Sequence, residues 1–245
     1  MKTVTVSRGG GYLLLFSHMR AYTSLLGHIV GSHPEVSGYS EMHLRLRSHR
    51  ELHQLALQVA RRSRKNYQDR FVFDKLLHNH LDTRRKILQR GDVHPLVMVR
   101  RPQETLASIL RLKARFIDEL SVAEHYYVER LQRLREVVRW CGGECLFIEG
   151  EALIRQTDRV LALMTDYLQL SSPLDSHYET FQHTGKRRLG DSSGNIFAGK
   201  ILQSSERSHD SAVVEEQQMG RSIDAYHEFL EFISREVAAD KTVFA

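Results

Sequence analysis

The chain has 245 residues, 41% of them hydrophobic and 27% charged, which suits one large α/β domain that buries its own core. Its formal net charge of +5 rests mostly on arginine, because only eight of the 35 basic residues are lysine. Two cysteines, Cys141 and Cys145, exclude a disulfide framework and a zinc ligand set, and the short basic clusters lack the base-stacking aromatics of a nucleic-acid footprint.

The elements alternate between strand and helix. Val4-Thr5-Val6 reads as a strand, Gly9-Gly10-Gly11 as a turn, and Tyr12-Leu13-Leu14-Leu15-Phe16 as a second strand covered on both faces. That apolar run is far shorter than the ~20 residues a bilayer span needs. It also lacks a cleavage site, so no integral membrane segment or leader is read here and a cytoplasmic location is expected, with both thiols reduced. A helix is predicted from Tyr22 to Ser32, with Leu25, Leu26, Ile29 and Val30 on one face, ended by His33-Pro34. A long polar helix is predicted from Glu41 to about Arg64, a short strand at Phe71-Val72-Phe73, and a helix from Leu81 to Arg90 closed by Gly91.

Pro95-Leu96-Val97-Met98-Val99 reads as a buried strand that leads through Arg100-Arg101-Pro102 into a helix, with the proline at its first turn. A helix over Val122 to Trp140 is broken by Gly142-Gly143, and Cys145-Leu146-Phe147-Ile148 is a core strand. Thr157 or Asp158 is expected to cap a helix running to Leu168. Regular pattern fades from Ser171 to Arg221, so residues 171–220 are read as irregular loops, and a final amphipathic helix covers Ile223 to Val237. No repeat or linker divides the chain. The expected fold is therefore a single α/β domain, residues 1–245, with a central parallel sheet flanked by helices.

Two junctions carry chemistry. The first is Phe16-Ser17-His18-Met19-Arg20-Ala21-Tyr22-Thr23-Ser24-Leu25-Leu26. A buried strand running through a short loop into a helix aims free N–H groups and a positive dipole end at one point, where a phosphate binds. Arg20 adds charge, and Thr23 and Ser24 add hydroxyls. No G-x-x-x-x-G-K-S/T motif and no G-x-G-x-x-G motif after a strand is present. The second is Leu96-Val97-Met98-Val99-Arg100-Arg101-Pro102-Gln103-Glu104-Thr105-Leu106-Ala107-Ser108, where an arginine at a strand end and a serine two helical turns on can grip one anion from two sides.

The first junction resembles the 5′-phosphosulfate loop of the sulfotransferase family, with Arg20 at the basic position, Thr23 and Ser24 at the hydroxyl pair and Leu25-Leu26 at the helix start. The segment His33-Pro34-Glu35-Val36-Ser37-Gly38-Tyr39-Ser40-Glu41 continues the likeness. The second junction resembles the family's 3′-phosphate motif through the Arg100 and Ser108 spacing. Tyr22 departs from the pattern, because the family usually has glycine there. Either its ring points away from the anion or the loop takes another shape.

The resemblance implies a P-loop-like sulfotransferase architecture. It also implies an enzyme that moves a sulfuryl group from 3′-phosphoadenosine 5′-phosphosulfate to a hydroxyl or amine of a small-molecule or carbohydrate acceptor. A carbohydrate, a glycolipid or a secondary metabolite would serve, and the desulfated bisphosphate is the product. The donor would contact Arg20, Ala21, Tyr22, Thr23, Ser24, Arg100 and Ser108, with Lys186, Arg187 and Arg188 closing over it. Arg20 would stabilise charge on the bridging oxygen, Lys75 would polarise the sulfuryl oxygens, and Glu41, with His43 behind it, would take the acceptor's proton. No metal is implied, and His78 and His80 lack further ligands at the right spacing, so they read as structural or substrate-lining. The alternatives are an ATP-dependent kinase-like enzyme, which needs the missing Walker lysine, and a non-catalytic nucleotide or polyanion-binding module, which needs neither Glu41 nor Lys75.

Overall fold

In the computed structural model, residues 10–63, 70–112, 117, 119–185, 194–203 and 219–245 are described. The expected strand Val4-Thr5-Val6 and the basic run Lys186-Arg187-Arg188 lie outside the described residues. Strand β1 (Gly11–Ser17) is buried along its whole length, as its continuous apolar run requires. Tyr12, Leu14 and Phe16 face one core and Leu13 and Leu15 face the other, so both sides of the sheet are covered.

The described residues form a single α/β domain around a six-stranded parallel sheet in the order β2-β3-β1-β4-β5-β6. The strands are β1, β2 (Val36–Ser37), β3 (Phe71–Leu76), β4 (Val93–Val99), β5 (Leu146–Glu149) and β6 (Thr242–Val243). One layer beside the sheet holds helices α1 (Thr23–Ser32), α6 (Ala152–Arg155) and α7 (Thr157–Leu168). The other holds α2 (His49–Ser63), α3 (Arg85–Leu88), α4 (Pro102–Arg111), α5 (Leu120–Trp140) and α8 (Gly220–Glu236). From β1 the chain winds to β2 and β3 on one side and then returns to β4 on the other. The carboxyl ends of β1 and β4 thus flank the point where the winding reverses, the place where parallel sheets open a ligand crevice. Among the described residues, no helix is long and apolar enough to cross a membrane.

Four expectations are corrected, each for a local reason. The polar helix starts at His49, not Glu41, because Ser48 and Glu51 form a capping box. The Ser48 hydroxyl and the Arg47 N–H both donate to the Glu51 carboxylate, and the Glu51 N–H donates to the Ser48 hydroxyl. Residues 41–45 are left in an irregular segment. The helix expected over Leu81–Arg90 shrinks to α3, because Thr83 bridges to Leu46 and its hydroxyl donates to the Leu46 carbonyl. Neither Thr157 nor Asp158 caps α7. Gln156 takes the cap position, and the Thr157 hydroxyl donates backward to the Leu153 and Ile154 carbonyls. The expected run of irregular loop after residue 171 contains a short 3-10 turn at Gly194–Ala198. Pro102 does open α4, as expected. The short edge strands β2 and β6 give no pattern long enough to read from sequence.

Packing then fixes the segment that carries Glu41. Gly27 and Gly31, one turn apart on α1, let the Gly38-Tyr39 backbone press against the helix. A Cβ on Gly27 would lie 2.4 Å from the Tyr39 carbonyl oxygen, and one on Gly31 2.7 Å from that of Gly38. Gly38 has φ of +101°, and a Cβ there would stand 2.4 Å from the Phe73 carbonyl oxygen. Gly38→Ala is therefore expected to cost more than about 2 kcal/mol, since strain and a backbone clash add. Urea unfolding of the variant against wild type measures this.

Candidate active site

The loop after β1 keeps an unusual backbone. Arg20 and Tyr22 have φ of 65° and 60°, left-handed values that non-glycine residues adopt at a cost of about 1 kcal/mol or more each. Tyr22 occupies the N-cap position of α1 and offers no side-chain cap there. The tyrosine thus preserves the turn a glycine would make, and its ring leans toward the ends of β4 and β5. The guanidinium carbon of Arg100 lies 4.1 Å from the ring centroid, and a Cβ on Gly150 would lie 3.3 Å from Tyr22 Cδ2.

The two junctions meet. The Arg20 Nε–H donates to the Ser108 hydroxyl at 2.7 Å, and an Arg100 terminal N–H donates to the Arg20 carbonyl at 3.2 Å. Arg100 also faces the buried carboxylate of Glu151, Nε to Oε1 3.4 Å. Burial pushes the Glu151 carboxyl up against the pull of Arg100. Arg20, Tyr22, Arg100 and Ser108 are therefore one cluster at the switch point of the sheet.

Three residues missed by sequence reasoning hold that cluster in place. His18 is fully buried between the junctions. Its Nδ1–H donates to the Met19 carbonyl at 2.8 Å, and its Nε2 accepts the Arg100 N–H at 3.0 Å. Burial lowers its pKa to about 4, so the imidazole is neutral. The Tyr126 hydroxyl accepts the Met19 N–H and donates to the Leu77 carbonyl, each at 2.9 Å. Arg130 reaches from α5 to the strand ends. It donates to the Ser17 carbonyl at 2.7 Å, to Asn79 Oδ1 at 3.1 Å and to the Leu76 carbonyl, and burial lowers its pKa to about 10. One signal was present: Arg130 sits in the apolar stripe Tyr127, Leu131, Leu134 and Val138, where a charge is out of pattern.

Glu41, His43 and Lys75 also come together. Lys75 projects from the end of β3, is 1% exposed, and its ammonium makes no hydrogen bond. It faces Glu41 at 3.6 Å, and Glu41 in turn faces His43 at 3.8 Å. His43 has φ of 55°, and its side chain is 44% exposed. Asp74, on the opposite face of β3, accepts the Met42 N–H at 2.9 Å and so pins the segment between Glu41 and His43. Burial raises its pKa to about 7. His78 and His80 stack with centroids 5.3 Å apart, and burial lowers the His78 pKa against the pull of Glu41.

These residues fit a ligand with two anionic ends. A buried ammonium without a hydrogen bond is costly, and an anionic oxygen would supply the missing partner. Arg20, Ala21, Tyr22, Thr23 and Ser24 at the start of α1 would hold one end, and Arg100 and Ser108 the other.

A solved sulfotransferase domain from the curacin biosynthetic pathway superposes with a TM-score of 0.61 at 16% identity, over 94% of this chain and 99% of that one. The chain has the sulfotransferase fold. A sulfotransferase from Alicyclobacillus acidocaldarius aligns with a TM-score of 0.45 at 12% identity, over 70% of this chain and 87% of that one. No family model matches the sequence, and no curated protein matches it.

His18 and Asp74 give opposite pH signatures. The unfolded state takes up the His18 proton between pH 6.5 and about 4, so this residue makes the fold less stable as pH falls through that window. The folded state holds the Asp74 proton up to about pH 7, against 3.8 when unfolded, so this residue makes the fold less stable as pH rises through that window. Relative to wild type, Asp74→Asn should therefore gain stability as pH rises from about 4 to 7, and His18→Gln should lose it from about 4 to 6.5, each by a few kcal/mol. Urea titrations at stepped pH read both slopes.

Proposed function

We propose that this chain is a sulfotransferase that moves a sulfuryl group from 3′-phosphoadenosine 5′-phosphosulfate to a hydroxyl or amine of a small-molecule or carbohydrate acceptor. The observation that carries the reading is the 2.7 Å bond between Arg20 and Ser108, which brings the two strand-to-helix junctions, each read from sequence as an anion site, into one cluster. The fold supports the reading.

The donor supplies an activated sulfuryl group whose bond to the 5′-phosphate oxygen breaks as the bond to the acceptor forms. Thr23 and Ser24, at the positive end of α1, hold the 5′-phosphate, and Arg20 balances the charge that gathers on it. Arg100 and Ser108 grip the 3′-phosphate, which distinguishes this donor from ATP. Lys75 turns its ammonium to the sulfuryl oxygens. Glu41 accepts the acceptor's proton on its carboxylate, and Lys75, 3.6 Å away, compensates the Glu41 charge until it does. Asp74 and the α1 glycines keep Glu41 at that spot. A buried Lys75–Glu41 pair beside the phosphate loop favours an enzyme over a binding module, which has no use for it.

Turnover with a sulfur-labelled donor and a panel of hydroxyl and amine acceptors tests the reading. Glu41→Gln should lower kcat about 100-fold or more while the affinity for adenosine 3′,5′-bisphosphate stays near wild type. A Glu41→Gln enzyme with full turnover would pass the proton to His43. Arg100→Ala should weaken the bisphosphate at least about tenfold and leave adenosine 5′-monophosphate nearly unchanged by calorimetry.

A further inference from the structure

Tyr22 holds a backbone conformation that costs a tyrosine more than a glycine, at φ of 60° in the loop itself. Strain kept at such a place calls for a contact that repays it. The contact is with Arg100. Its guanidinium lies over the Tyr22 ring at 4.1 Å, its Nε edge faces Glu151 at 3.4 Å, and one terminal nitrogen donates to the Arg20 carbonyl at 3.2 Å. The ring is itself backed by Gly150, where any side chain would meet Tyr22 Cδ2 at 3.3 Å.

We propose that Tyr22 is a positioning residue that makes the 3′-phosphate selectivity of this chain depend on its first anion loop. The proposal rests on the donor assigned above. A free arginine side chain has many rotamers, and freezing it on ligand binding costs affinity. The ring, with Glu151, freezes Arg100 before the ligand arrives. Because the ring is carried by the 5′-phosphate loop, the platform for one phosphate is built from the loop that binds the other. A glycine in this position would make the same turn and carry no platform.

The experiment compares the affinities of adenosine 3′,5′-bisphosphate and adenosine 5′-monophosphate by calorimetry in wild type, Tyr22→Phe, Tyr22→Gly and Tyr22→Leu. Wild type and Tyr22→Phe should prefer the bisphosphate by the same ratio. Tyr22→Gly and Tyr22→Leu should lose about tenfold of that ratio, because bisphosphate affinity falls further than monophosphate affinity. Thermal melts identify which variants are folded, and Tyr22→Leu, which keeps the bulk without the π face, decides the matter if Tyr22→Gly does not fold. An unchanged ratio in folded Tyr22→Leu or Tyr22→Gly would overturn the platform while leaving the donor assignment standing. A wild-type protein without preference for the bisphosphate would instead overturn the donor assignment, and the platform with it.

Discussion

The neutral imidazole of His18 ties the two strand-to-helix junctions together, and the rest of the cluster is built on that tie. A neutral ring has one donor and one acceptor, and here both are used: the donor on the Met19 carbonyl within the first loop, the acceptor on the Arg100 N–H of the second. A protonated ring would have two donors and could not accept from Arg100. Burial enforces the neutral form, so the same desolvation that costs stability in acid makes the clasp specific. Tyr126 and Tyr127 complete it from α5, one at the Met19 N–H and the other at the Arg100 carbonyl at 2.7 Å. Each loop is therefore tied to the other and to a helix behind it.

Electrostatics around this clasp is uneven. At the ends of β1 and β3, Arg130 is satisfied by the carbonyls of Ser17 and Leu76 and by Asn79, so its charge is buried among dipoles. At the ends of β4 and β5, Arg100 faces Glu151 and Arg101 faces Glu149, which also accepts the Tyr226 hydroxyl. Each arginine of the second junction thus stands against a carboxylate, so its grip on an anion would depend on where hydrogen-bond donors point. On the proposed reading, Arg20 and the buried Arg130 stand beside the loop where a leaving phosphate would gather charge. Potential matched to developing charge lowers a barrier, whereas potential matched only to bound charge does not.

The sequence made the architecture legible wherever burial was two-sided. Continuous apolar runs at Tyr12–Phe16 and Pro95–Val99 became central strands, because a strand covered on both faces has no polar alternation to confuse it. The junctions after those runs were legible because strand, loop and helix follow without a gap. What failed were elements decided by single side-chain bonds. Glu51 reaches Ser48 and moves a helix start by eight residues from Glu41 to His49, and Thr83 reaches Leu46 and cancels more than half of a helix. His18 and Arg130 were hidden for a related reason. Each looks like an ordinary polar residue until the carbonyls it serves, far away in sequence, are brought to it.

Tyr22 shows how far a local rule can be bent. A loop that needs a left-handed residue before a helix usually takes glycine, since a Cβ there is strained. Here the strain is accepted, and the ring fills the space between Gly150 and Arg100 that a glycine would leave open. A Cβ on Gly150 would press on that ring at 3.3 Å, and Arg100 cannot swing freely while it stacks on it. The identity of residue 22 therefore constrains residues in two other elements. Substituting glycine at position 22 would relax the backbone and at the same time release Arg100, so stability and the proposed selectivity pull in opposite directions.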